Sequence, residues 1–178
     1  MSDAKGLKIK DTVMIGVLAG MCAIATSIKI PLGVGAMVHL GTAFMFTVAI
    51  VFGGMYAGLS SAIGSAFFDL LMGFSPYTPW SFFIKGIAGL LVGTIAHGLW
   101  PQPIPTDTGK TAPRLVRSII GCLVAAAWTL CGYIFAWWQV TGSLTVAFAN
   151  VPASLLTSSV GMIVALFLAP RLQKALRR

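Results

Sequence analysis

Apolar residues dominate this chain in six long runs, separated by short stretches of Gly, Pro and polar side chains. The runs fall near residues 12–28, 42–57, 59–73, 81–99, 119–138 and 144–169. An α-helix needs about 20 such residues to cross hydrocarbon, and each run comes near that length. The breaks are chemically distinct. IPLGVGAMVHLG, from Ile30 to Gly41, is Gly-rich and follows the first run. GGMYAG, from Gly53 to Gly58, leaves room only for a tight turn between the second and third. FSPYTPW, from Phe74 to Trp80, carries Pro76 and Pro79 as breakers. No charged residue occurs from Ser118 to Ala169, a stretch too long for one span, and it divides at WWQVTGS. Asn150 and Pro152 sit early in the last run, so its helix is expected to begin near Val151.

The pattern predicts an all-α integral membrane protein, a six-transmembrane-helix bundle forming a single membrane domain over residues 1–178. Composition agrees: 57% of residues are hydrophobic and 9% charged, more apolar surface than a soluble domain of this size can hide.

Charge sets the orientation. Ten of the twelve basic residues form three clusters: Lys5, Lys8 and Lys10; Lys110, Arg114 and Arg117; and Arg171, Lys174, Arg177 and Arg178. Each flanks an apolar run, as cytoplasmic Lys and Arg do. Six spans put both termini on one side, and the connector at 100–117 lands on that side too. Both termini are therefore expected to be cytoplasmic, with external loops near 30–41, 74–80 and 139–150. The net charge of +8 belongs to these flanks and not to a nucleic-acid face.

Two charges break the apolar pattern. Asp69 lies near the outer end of the third run and Lys85 near the outer start of the fourth. At a rise of about 1.5 Å per residue they sit about 6 Å and about 7–8 Å deep. Ions at such depth face a partner or a wet cavity, so the two are expected to pair or to border an external ligand site. His39, Tyr77, Trp80, Trp138, Gln139 and Asn150 lie on the same side, a set of flat faces and hydrogen-bonding groups suited to a small molecule. His97, at the other side, reads as structural. Cys22, Cys122 and Cys131 lie in apolar runs without CxxC spacing and read as small core residues. TDTGKT, from Thr106 to Thr111, imitates a phosphate-binding loop, but Ile104 stands where the first Gly belongs. The first span carries Gly16, Ala19, Gly20 and Ala23, small residues that let another helix approach closely.

IKIPLGVGAMVHLGTAFMF, GGMYAGLSSAIGSAFFDLLMG and TPWSFFIKGIAGLLVG resemble the substrate-binding S components of energy-coupling factor (ECF) vitamin transporters. They are most similar to the riboflavin-transporter-like branch, including its hydroxymethylpyrimidine and pyridoxine types. The resemblance implies a six-helix subunit of a prokaryotic cytoplasmic membrane that binds a vitamin externally. It implies no cofactor or ATPase in this chain, with ATP and Mg bound by two ABC ATPase subunits joined through a transmembrane scaffold subunit. The Ala19–Ala23 pair resembles the AxxxA docking motif of span one, and Gly16 and Gly20 extend it. Two departures bear on specificity. Thr42 stands where the family pattern has Asp, and Pro152-Ala153-Ser154-Leu155-Leu156-Thr157 stands where it has PGNLIQ. Thr42 and Ser154 thus join the expected binding set, and the altered donors favour hydroxymethylpyrimidine or a vitamin B6 form over riboflavin. Two other classes compete: a self-sufficient secondary transporter, which would show inverted repeats, and a small membrane enzyme using Asp69 and Lys85 as acid and base. No inverted repeat or third buried polar group at that depth stands out in the sequence.

Overall fold

The computed structural model describes residues 7–31, 37–100 and 111–176. Lys5, Lys110, Arg177, Arg178 and the TDTGK stretch of the false phosphate loop lie outside them. Seven α-helices and one short hairpin make up the described chain: α1 (Ile9–Ser27), β1 (Lys29–Pro31), β2 (Met37–His39), α2 (Gly41–Phe52), α3 (Gly54–Leu71), a 3-10 turn (Ser75–Tyr77), α4 (Thr78–Ala96), α5 (Thr111–Thr141), α6 (Leu144–Ala149) and α7 (Val151–Leu176).

The six runs overlie these helices, with four differences. The break between the second and third runs lies at Gly53 and not near Gly58, so that α2 ends at Phe52 and α3 begins at Gly54. Part of the Gly-rich first loop is a β-hairpin, β1 antiparallel to β2 with Lys29 opposite His39. The connector at 100–117 is not wholly a loop, because α5 already begins at Thr111. The last run is two helices: α6 is capped by the Ser143 hydroxyl, which accepts from Val146 N, and ends at Asn150, after which α7 starts at Val151. α1, the 3-10 turn with α4, α5, and α6 with α7 are long and apolar enough to cross a membrane, whereas α2 is a shorter apolar helix.

The α2–α3 turn is as tight as the glycines predict. Gly53 alone makes it, at φ +92°, a conformation that other residues reach only with strain. The exposed backbone donors at the start of α3 are satisfied from the end of α4: Gly54 N donates to Gly98 O at 2.9 Å and Met55 N to Leu99 O at 2.8 Å.

α3 and α4 make the most extensive helix pair, with α5 on the far side of α4, α1 against α3, and α2 against α7. Burial divides the bundle into two halves. The dry half is built from Ile15 and Leu18, Met45 and Phe46, Val48 to Val51, Tyr56 and Ala57, Ala88 and Val92, Cys122 and Ala125, and Ala165 and Ala169. The other half holds Thr26, Thr42, Ser65, Asp69, Ser81, Lys85, Thr129, Asn150 and Thr157, all buried and all polar. Cys22 and Cys122 are buried as expected, but Cys131 is exposed, being on a turn of α5 that faces outward.

Candidate substrate cavity

The polar half encloses a cavity of about 250 Å³. Every helix but α6 contributes a wall, and the end of β2 contributes His39. Asp69 comes from the last turn of α3, and Ser81 and Lys85 from the start of α4. The break between these helices carries Phe74 and Tyr77, so one hairpin supplies two charges and two aromatic faces. Tyr77 packs against Trp137 of α5 with ring centroids 4.8 Å apart, inclined at 46°. Phe68 and Tyr133 extend the aromatic wall. Lys29, exposed on β1, lies 5.5 Å from the Phe68 ring centre and 5.9 Å from that of Phe74.

His39, Thr42, Asp69, Tyr77, Lys85, Asn150 and Ser154, all expected from sequence, share this lining. Three expected residues do not. Trp80 turns to Phe135, edge to face at 5.3 Å; Trp138 meets the same ring, also edge to face, at 5.8 Å; and Gln139 is exposed. The neighbour Trp137 faces the cavity in place of Trp138, because successive helical residues point about 100° apart. Thr26, Ser65, Ser81, Thr129, Tyr133 and Ser158 join the lining without being among the expected residues.

The expected Asp69–Lys85 ion pair is not formed. Both side chains are more than nine-tenths buried, 8% and 6% exposed, and they lie within electrostatic reach of each other. Lys85 Nζ instead donates to Thr42 Oγ1 at 3.0 Å and lies 5.5 Å from the centre of the Tyr133 ring. Asp69 has Ser81 beside it, and Ser81 shares a hydrogen bond with the Tyr133 hydroxyl at 3.2 Å. Asp69 Oδ2 is buried without a hydrogen-bond partner, as is His39 Nδ1.

Desolvation, reinforced by the cations of Lys85 and Lys29, pushes the His39 pKa down to about 3. The imidazole is therefore neutral at physiological pH. An unfolded chain takes up a proton here near pH 6.5 and the folded chain refuses it. This group's contribution to stability is thus complete above about pH 6.5 and is lost progressively toward pH 3. Thermal unfolding in detergent should occur at lower temperature at about pH 5 than at about pH 7. His39→Gln should flatten that dependence; an equal slope in the variant would assign it to other groups.

The small residues of α1 divide between two faces. Ala19 and Ala23 are buried, 4% and 7% exposed; Ala19 O lies where a Cβ on Gly64 of α3 would come within 2.6 Å. Ala19 packs α1 onto α3, and both side chains are largely covered within the subunit. Gly16 and Gly20 point outward, with nothing within 4 Å of a Cβ placed on either.

The family model described as "ECF-type riboflavin transporter, S component" matches residues 6–175. The chain belongs to this S-component family. Among solved structures, one described as "Structure and mechanism of the S component of a bacterial ECF transporter" shares the fold, with a TM-score of 0.65 at 18% identity, covering 95% of this chain and 98% of the other. No curated protein is similar enough to match. S components are substrate-binding membrane subunits of ECF transporters and are not themselves enzymes, which sets aside the acid–base reading of Asp69 and Lys85.

Proposed function

We propose that this S component captures a small heteroaromatic vitamin or precursor in the cavity, with hydroxymethylpyrimidine or a vitamin B6 form as the favoured cargo. One observation carries the reading: aromatic faces and buried hydrogen-bonding groups share a single cavity at one end of the bundle, opposite a dry core. Flat rings stack on Tyr77 and Trp137, while His39, Asn150 and Ser154 offer polar contacts. Riboflavin is the second reading, favoured by the description of the matching family. The test is a titration of the isolated chain in detergent, followed by tryptophan fluorescence. Trp137 lies in the cavity wall, so saturable quenching by one compound supports the reading. No response to any of the three, with no retained small molecule on mass spectrometry, rejects it.

The assembly follows from the same reading. Six spans with both termini in the cytoplasm place the cavity outward, in a prokaryotic cytoplasmic membrane. The basic residues Lys8, Lys10, Arg114, Arg117, Arg171 and Lys174 support that orientation, since they lie beyond the dry half of the bundle. Energy comes from partners: a transmembrane scaffold and two ABC ATPases that bind the ATP and Mg. Gly16 and Gly20 are the docking positions that fit the outward face of α1. Replacing both with Leu should leave ligand affinity unchanged, because nothing inside the subunit is touched. Uptake by cells and co-purification of the scaffold should both fall to background; undiminished uptake would place docking elsewhere.

A further inference from the structure

We infer that Asp69 and Lys85 form an open donor–acceptor clamp that reads one edge of a neutral ligand: Asp69 accepts from an N–H or O–H group, and Lys85 donates to a neighbouring ring nitrogen, carbonyl oxygen or hydroxyl oxygen. The inference rests on the proposed vitamin-binding reading and specifies the polarity of the ligand edge.

Two buried ions of opposite sign in one cavity ordinarily gain by closing on each other, because an isolated charge is expensive away from water. Here they remain apart, and each is held by a different neutral group. The Thr42 hydroxyl, which can accept one hydrogen bond from Nζ without neutralising its charge, engages Lys85 at 3.0 Å. An ammonium has three donors, so others remain for a ligand. Asp69 has Ser81 beside one edge of its carboxylate and leaves Oδ2 with no partner at all. An unsatisfied buried acceptor is rare in folded proteins and costly, the more so where it carries charge. Both groups line the same cavity.

The pairing of the groups selects the ligand's charge as well as its edge. An added anion would gain from Lys85 but be repelled by Asp69, and an added cation would meet the reverse. A neutral edge with a donor next to an acceptor satisfies both. The amino group beside a ring nitrogen in an aminopyrimidine has this form. So does the ring hydroxyl of pyridoxine beside its hydroxymethyl oxygen, and so does the imide of a flavin. The clamp therefore belongs to whichever of these rings the cavity takes. It also predicts that the part of the ligand held at Asp69 is unphosphorylated, since a phosphate dianion there would stand against Asp69 with Lys85 the one lysine of the lining to offset it. A reaction that phosphorylates that part would then act after capture.

The test uses matched ligands on the unmodified chain. Aminohydroxymethylpyrimidine is compared with its analogue lacking the amino group, pyridoxine with its phenol methyl ether, and riboflavin with the derivative methylated at the imide nitrogen. Whichever parent binds, its donor-blocked partner should bind at least tenfold more weakly. The Asp69→Asn variant should lose affinity for the parent while binding the blocked analogue no worse than before. Equal affinity of parent and blocked analogue on the unmodified chain overturns the clamp and leaves the vitamin reading standing. Failure of all three parents to bind overturns the vitamin reading and the clamp with it. The ligand comparison needs no variant, so misfolding of Asp69→Asn does not affect it.

Discussion

Replacing Lys85 with methionine should weaken ligand binding roughly ten- to a hundredfold while leaving the solubilised chain no less stable than the parent. The two readouts move apart for a physical reason. Lys85 is 6% exposed and reaches a hydroxyl, not a carboxylate. Its folded state therefore retains much of the cost of burying a charge and little of the gain of pairing it. An apolar side chain of similar length relieves that cost, and because Asp69 makes no ion pair with Lys85 it loses only a longer-range attraction and not a paired partner. Binding behaves oppositely. A hydrogen bond to a charged group contributes about 1.5–3 kcal/mol, which sets the expected loss. The check is a fluorescence titration together with thermal unfolding of the same preparation. Parental affinity would show that Lys85 borders the cavity without touching the ligand. A large fall in unfolding temperature with weakened binding would make it a structural brace instead.

The reason Lys85 was visible in the sequence, and much of the site was not, lies in what each residue type signals. A charge inside an apolar run is rare, so Asp69 and Lys85 stand out, and counting residues from the break at Pro76 and Pro79 puts them at matching depth. Their facing required only adjacent antiparallel helices, which the short loop guarantees. Whether they close into a pair depends on side-chain direction and on the competing Thr42 hydroxyl, which arrives from α2 more than 40 residues away in sequence. Rotational placement fails in the same way for Trp137 and Trp138, and for Ala19 against Gly16: a window of apolar residues fixes that a helix exists but leaves its orientation open when every face is greasy. Serines and threonines were missed because they are unremarkable in membrane helices, where the hydroxyl can donate to its own backbone, as Thr26 does to Cys22 O at 2.7 Å. Their positions give no signal either: Thr26, Thr42, Ser65, Ser81, Thr129 and Ser158 fall in the half of their helix nearest the cavity, but Thr47, Ser60, Ser61, Thr94 and Ser118 fall in the opposite halves, so hydroxyls alone do not mark the chamber.

Replacing Gly93 with valine should abolish recovery of monodisperse protein, whereas Gly20→Val should not. The substitution is chemically identical, and both sites are in apolar helices where added branching by itself costs little. What differs is the space. A Cβ on Gly93 would run into the backbone of Gly53 and Gly54. One on Gly89 would lie 2.6 Å from Ala57 O and 2.7 Å from Ala57 C. Backbone cannot rotate aside as a side chain can, so the helices themselves must separate. Overpacking a tight core costs about 1–3 kcal/mol when side chains can adjust, and more when they cannot. Separation of α3 from α4 at this end would also break the Gly54–Gly98 and Met55–Leu99 hydrogen bonds that close it. At the other end of the same helix pair sit Asp69, Ser81 and Lys85, so the glycines set the distance across which the two charges face the cavity. Gly20 has open space around it, and its variant should fold and bind ligand normally. Size-exclusion profiles of the two variants, purified side by side, give the answer. A well-behaved Gly93→Val chain with parental ligand affinity would mean that close α3–α4 contact is not what holds the site in register.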